Sequence, residues 1–444
     1  MKCDLWGLHN SRLHEELLRS QEKLLEFIMS FYLEPYEQAM LDGAQGAGVA
    51  FAMGLICRLA ETLGATRLEP ICQAHIDGCL YHGQASLDFV LHLKNLGAKV
   101  AIPTTLNVAS LNLLHPERNR YPEETRLAME QQMQAYLDLG CDATWTCAPY
   151  QLPSQPHLGQ QIAWAESNAI VFANSLLGAR TNRYGDFTDI CAALTARVPY
   201  VGLHCPENRR GQIVYHLETA WFEDNSTYAV LGHFVGLDCG DQIPVLHGLP
   251  LQTRPDDLKT FGAAAASSGA VAMFHAVGIT PEAPSLEVAL QHQAPLRQVK
   301  VSRQMLQQAR AELSTMAVGT RLDAVSLGTP HYSLDEFIRL LELLRGQKLQ
   351  TDFFVNTNRY VKSQLEQQGL LEPLLASGIV LILDTCVYLA PILEKTAKVV
   401  MTSSAKMAYY APANLGIGIA FGSTLECVQS AVRGEVWHDP NFWD

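Results

Sequence analysis

The sequence predicts an α/β protein of parallel sheets with helices on both faces, on three observations. Short apolar runs recur without polar alternation, as in GIVLIL (378–383) and GIGIAF (416–421), the pattern of strands buried on both sides. Each run leads into a polar turn rich in Thr, Ser, Asn or Pro and then a helix start. No fixed-period repeat or low-complexity segment interrupts that alternation. In such folds ligands bind outside the carboxyl ends of the strands, where helix N-termini offer free N–H groups, and most of the unusual polar clusters here fall at those ends.

Along the chain, Ala98–Ile102 reads as a strand running into PTTLNVASLN. Residues 142–150, DATWTCAPY, alternate Ala143, Trp145 and Cys147 with Thr144 and Thr146, which predicts a short strand stopped by Pro149. Val198–Leu203 leads into HCPENRRG. The stretch 261–279, FGAAAASSGAVAMFHAVGI, is apolar but rich in Ser and Gly and contains His275; it predicts a small-residue helix buried between neighbours rather than a membrane span. Thr280–Gln298 carries three prolines and reads as a linker, placed at 281–299 between a first region (33–280) and a second (300–444), with a helical extension over 1–32. In the second region the strands are Ala324–Leu327, Thr351–Val355, Gly378–Leu383, Lys398–Met401 and Gly416–Phe421. Ser333 with Glu336, and Ser423 with Glu426, form capping boxes at the helices after the first and last of these.

Composition bounds the function. A chain of 444 residues, 48% hydrophobic and 17% charged, is globular and large enough for two or three packed lobes. A formal charge of −13 with no basic run argues against nucleic acid as a partner. The first residues mix Glu, Arg and Lys into their apolar positions, so no signal peptide is expected. Eleven cysteines, an odd number with no CxxC pair, point to reduced thiols in the cytoplasm. If thiols bind metal, they converge from distant segments.

Five segments carry candidate chemistry. GAQGAGV (43–49) precedes a helix and reads either as a backbone cradle for an anion or as close helix packing. His75 and Asp77 stand two apart, a spacing that suits a general base or a structural turn. The run 166–183 places Glu166, Ser167, Asn168, Asn174 and Ser175 in or beside an apolar helix and ends in Arg180, Asn182 and Arg183. Such polar groups in a helix interior need a ligand or an internal hydrogen-bond network. TSSAK (402–406) follows a buried strand, and its Lys406 suits a carboxylate or phosphate, with a capped helix bearing an exposed lysine as the alternative. Finally, Cys386 in DTC (384–386) ends an apolar strand as Cys147 does, so two thiols from distant segments could share one iron site.

The runs HIDG (75–78), PTTLN (103–107), TCAPY (146–150), WAESN (164–168), NSLLGARTNR (174–183), GLH (202–204), ENR (207–209), LGTPH (327–331), DTC (384–386) and TSSAK (402–406) resemble the catalytic subunit of the aconitase X family, in the family's order, over roughly Leu33 to Gly434. The resemblance implies an aconitase-superfamily core of α/β lobes around a central cleft, and dehydration at an iron or iron–sulfur site. It implies Cys147 and Cys386 as ligands. Thr329 stands at a third-ligand position that is cysteine in the archaeal branch. Without that thiolate a cubane gives way to a two-iron cluster or a single iron. Cys427 is a conceivable substitute, although its capping-box setting suits a structural role.

The departure at Thr329 favours the bacterial branch, which resembles cis-3-hydroxy-L-proline dehydratase, over the archaeal branch, which acts on mevalonate 5-phosphate. An inactive scaffold that has lost its iron is the alternative from another class. The resemblance also implies a small swivelling domain; no segment here supplies it, so a separate small subunit completing a heterodimer is expected. The expected substrate-binding positions are Gly43, Gln45, Gly46, Thr104, Thr105, Asn107, Glu166, Ser167, Asn168, Asn174, Arg180, His204 and Lys406. The expected catalytic set is Lys406 with Ser404 or Ser175 as base and His75 as the alternative base.

Overall fold

The computed structural model describes residues 31–440 apart from 219, 220, 223, 388, 394 and 395, so the expected helical extension lies, up to residue 30, outside the described residues. Three parallel sheets, each with its own domain, organise the rest.

The first domain contains α1 (Ala47–Leu63), β1 (Leu68–Pro70), β2 (Ala74–Ile76), α2 (Gln84–Asn95), β3 (Thr104–Leu106), α3 (Glu123–Asp138), β4 (Ala163–Trp164), α4 (Ser167–Phe172), α5 (Thr188–Thr195) and β5 (Arg197–Pro199). Its sheet runs β3-β2-β4, all parallel, while β1 and β5 pair antiparallel. Ala98–Ile102 is not a strand: Val100 N–H donates to Leu139 O (2.9 Å) and Ala101 N–H to Ala193 O (2.9 Å), so helix ends take the bonds a sheet would have used. The strand begins only after Pro103.

DATWTCAPY also differs from the expected strand. Asp142 N–H donates to Thr104 O (2.8 Å) and Thr146 N–H to Leu106 O (3.1 Å), so the segment runs beside β3. Between them the Thr144 hydroxyl, not the backbone, accepts from Leu106 N–H (2.9 Å), and Trp145 adopts a left-handed φ of 41°. The ladder is broken there, and Cys147 leaves the sheet.

The second domain follows with β6 (Ile213–His216), α6 (Asn225–Cys239), β7 (Pro244–His247), α7 (Pro255–Ser268), β8 (His275–Ala276), β9 (Arg297–Lys300) and α8 (Arg303–Glu312), in the parallel order β8-β7-β6-β9. The expected linker over 281–299 is instead part of this domain, because β9 pairs along β6 from Ile213–Arg297 to His216–Lys300. The small-residue stretch is a helix only to Ser268 and then supplies β8. Its small side chains allow close approach to α6: a Cβ on Gly232 would lie 2.3 Å from Phe261 O.

The third domain holds β10 (Ala324–Leu327), α9 (Leu334–Leu344), β11 (Asp352–Asn356), α10 (Arg359–Gln367), β12 (Ile379–Ile382), β13 (Val399–Thr402), α11 (Ala405–Leu415), β14 (Gly418–Phe421) and α12 (Thr424–Arg433). Its five-stranded parallel sheet has the order β12-β11-β10-β13-β14. Both expected capping boxes form, with Ser333 accepting from Glu336 N–H and Ser423 from Glu426 N–H. The turn after β10 requires glycine: Gly328 has φ 84°, and a Cβ there would meet Asn356 O at 2.1 Å. One apolar core fills the first domain, one the third, and another joins the second to the third. Every cysteine of the described residues is a free thiol, and no helix among them is long and apolar enough to cross a membrane.

Candidate active site

The carboxyl ends of β10, β12 and β13 face the segment after β3, and the turns leaving them close a cavity of about 210 Å³. Cys147 reaches it from the first domain, and Thr329, Cys386 and Lys406 from the third. Val108 packs with the two cysteines, and Leu80 and Leu389 close over them, so the thiols sit against an apolar wall.

His331 joins the thiols. One ligand atom each from Cys147, His331 and Cys386 lie within 4.8 Å of one another, all buried. The His331 N–H donates to Cys147 Sγ (3.3 Å), and Nε2 lies 3.8 Å from Cys386 Sγ. Nδ1 is 3.1 Å from Thr146 Oγ1, and Nε2, the ring nitrogen beside the thiol, also lies 3.4 Å from Thr385 O. Burial pushes the imidazole down to about 3, so it is neutral, the form that ligates metal. The neighbouring Cys147 and burial push the Cys386 thiol up; a bound cation reverses that and holds thiolate. Thr329 Oγ1, at the cavity edge, is buried without a partner among the described residues. Two convergent thiols, a neutral imidazole and an unsatisfied hydroxyl form a donor set able to hold a metal ion.

Charged groups line the other side. Lys406 Nζ meets Glu166 Oε1 at 2.5 Å and Ser167 Oγ at 3.1 Å, and both members of the ion pair are buried. Glu166 caps α4 through Ala169 N–H (2.8 Å), which fixes the carboxylate. Asn168 donates to Cys147 O (3.0 Å) and to Glu166, and accepts from the Tyr150 hydroxyl (2.6 Å). It therefore positions the first thiol rather than lining the cavity. Asp77 does line it, hydrogen-bonded to Asn107. Burial, then Glu166 and Asp186, push its carboxyl up to about 7. The turn bearing Asp77 is held by Asp189, whose Oδ2 accepts the N–H groups of Asp77 (2.8 Å) and Gly78 (3.1 Å).

Other expected positions lie elsewhere. Gly43, Gln45 and Gly46 do not line this cavity; Gln45 and Gly46 line a separate cleft with Lys99. Close packing holds for Gly48 in the first turn of α1, where a Cβ would lie 2.6 Å from that of Ala98, while Gly43 and Gly46 take positive φ and a Cβ on either would meet nothing within 4 Å. His75 is buried in the sheet against Trp164, its Nδ1 2.8 Å from Thr105 Oγ1, and burial takes it down to about 3. Thr104 bonds Ile102 O (2.8 Å). Asn174 joins Thr181, Ala272 and Arg209 in an internal network at a π-helical turn, and Ser175 accepts from Phe274 N–H (2.9 Å). His204 pairs with Gln161 (2.7 Å) and Tyr184, and the Arg180 backbone pairs with that of 160–162; neither residue lines the cavity. Ser404 caps α11 through Met407 N–H (3.0 Å) and donates to Thr329 O, bordering an adjoining cavity of about 330 Å³ that shares Thr329 and Lys406. Cys427 is buried in the third-domain core.

Profiles of the aconitase X first, second and third domains match residues 30–207, 211–311 and 322–433. The chain belongs to the aconitase X family. Its three sheets coincide with the family's three domains. The chain is 42% identical over 408 residues to the cis-3-hydroxy-L-proline dehydratase of Pseudomonas aeruginosa, covering 90% of this chain and 70% of that protein. It is 34% identical to the phosphomevalonate dehydratase large subunit of Methanothermobacter thermautotrophicus, covering 90% and 98%. The crystal structure of Thermococcus kodakaraensis aconitase X in its holo-form superposes with a TM-score of 0.82 at 31% identity, over 90% of this chain and 100% of that one.

In the sequence, His331 closes LGTPH (327–331) with no spacing that marks it as a ligand. Its one signal is position: like Cys386, His331 lies in the turn after a buried strand of the third domain.

Proposed function

We propose that this aconitase X chain is the catalytic part of an iron-dependent hydro-lyase that removes water from cis-3-hydroxy-L-proline. The observation that carries the reading is the convergence of Cys147, His331 and Cys386 beside a buried carboxyl and a buried ion pair. The relatives named cis-3-hydroxy-L-proline dehydratase supply the substrate. Mevalonate 5-phosphate is the weaker fit, because among the described residues Lys406 is the one cation lining this cavity and Glu166 already opposes it.

Dehydration of a β-hydroxy acid needs a base for the α-proton and help for a poor leaving group. Cys147, Cys386 and His331 would hold iron, as a two-iron cluster or a single ion. Bound there with an open position, it supplies the Lewis acidity that assists departure of the hydroxyl. Lys406, oriented by Glu166 and Ser167, binds the substrate carboxylate. Asp77 takes the α-proton. Of the expected bases, Ser175 and His75 lie outside the cavity, and the Ser404 hydroxyl is engaged with Thr329 O. Loss of water leaves an enamine that rearranges to 1-pyrroline-2-carboxylate. The archaeal relatives named large subunits support a small partner that completes the cleft.

The test is anaerobic purification with a co-expressed small subunit, followed by iron analysis and assays of both substrates. Iron together with conversion of cis-3-hydroxy-L-proline is the expected result. Iron-free protein that converts neither substrate overturns the reading and points to the scaffold.

A further inference from the structure

Lys259 is a buried charge that the proposed reaction does not use. It lies on α7 of the second domain, 3% exposed, beneath the metal-binding histidine. Its Nζ lies 3.1 Å from Asp256 Oδ1, pairs with Glu336 Oε2 and donates to the main-chain carbonyl of His331 (3.4 Å). Those two carboxylates are themselves tied to the segment that begins at His331. Ser333 Oγ donates to Asp256 Oδ2 (2.7 Å), and Glu336 Oε2 accepts from Ser333 N–H (2.8 Å) at the start of α9. From the opposite side Gln151 of the first domain donates to the same His331 carbonyl (2.9 Å), and Asn358 in turn holds Gln151 (2.8 Å).

A buried lysine is costly to keep, and replacing such an ion network by apolar side chains is often neutral for stability. Its geometric effect here is specific. The first and second domains grip a single carbonyl of the third, and that carbonyl belongs to the residue whose ring faces the thiols. We propose that Lys259 is a positioning residue that fixes His331 for metal binding, linking α7 of the second domain to a site whose ligands all lie in the other two. The proposal rests on the iron site put forward above.

The experiment is anaerobic titration of the apo full chain with Fe(II), read as bound iron and visible absorption, alongside circular dichroism. Lys259→Met removes the clamp but leaves Asp256 and Glu336 facing one cation fewer. Lys259→Met/Glu336→Gln keeps the network closer to neutral, and its amide oxygen can still accept at the α9 start. In whichever variant folds, iron affinity is expected to fall about ten- to hundredfold, as for outer partners of other metal ligands, with an unchanged circular dichroism spectrum. A purely structural role lowers the melting temperature and leaves iron affinity alone. Wild-type affinity in a folded variant overturns the proposal while the iron site stands; wild-type protein that takes up no iron overturns both.

Discussion

Asp77 combines a position in the cavity with a carboxyl held near 7, and both follow from its burial beside Glu166 and Asp186. As a base it works only when ionised, so kcat/KM is expected to rise with pH up to about 7 and then level. Asp77→Asn, which can still pair with Asn107, should lower kcat by about 10²–10⁴-fold and abolish that limb. An unchanged pH–rate profile would remove Asp77 from the mechanism. The same shift has a thermodynamic sign. Its folded pKa of about 7 lies above the ordinary 3.8, so the folded chain keeps a proton that the unfolded chain has shed, and stability is lost as pH climbs between those values. Asp77→Asn is therefore expected to melt higher than wild type at pH 8, with a smaller difference at pH 4. The cysteines separate as cleanly: Cys147→Ser should abolish iron binding, whereas Cys427→Ser, in the third-domain core, should keep full iron content.

At the scale of elements, a residue's neighbours decide between readings that sequence leaves open. Gly48 stands in the first turn of α1, after a glycine-rich loop suggestive of an anion cradle, yet Ala98 occupies the space a Cβ would need. Gly48→Ala is expected to cost about 1–3 kcal/mol through overpacking while KM stays unchanged. A raised KM without a stability loss would restore the cradle. The third-domain strands were legible because each is built around apolar residues, as in IVLI (379–382) and GIAF (418–421), and is ended by a polar turn. The first-domain strands were not: β2 and β3 have three residues and β4 has two, too few to show a period. The prolines of 281–295 misled because they precede β9 instead of interrupting it. Cys147 and Cys386 could be read from their place at strand or segment ends, whereas the polar side chains of 174–175 satisfy an internal network that only the folded chain reveals.

Across the whole molecule, the candidate metal donors come from two domains: Cys147 from the first, His331 and Cys386 from the third. Among the described residues, the apolar groups packed around the two thiols at that point are Val108, Leu80 and Leu389. An ion bound there acts as a cross-link between domains, and any ligand that binds only the folded state stabilises it by mass action, about 2.7 kcal/mol at a hundred times its Kd. Iron loading should therefore raise the melting temperature of the transition that includes both domains, and chelation under anaerobic conditions should lower it again. Cys386→Ser should melt near the apo wild type and gain nothing from iron, because the donor set is then broken on the third-domain side. Should iron bind stoichiometrically and leave both melting and protease sensitivity untouched, the ion would be held by one domain alone, and the donor set that spans the cleft would be wrong.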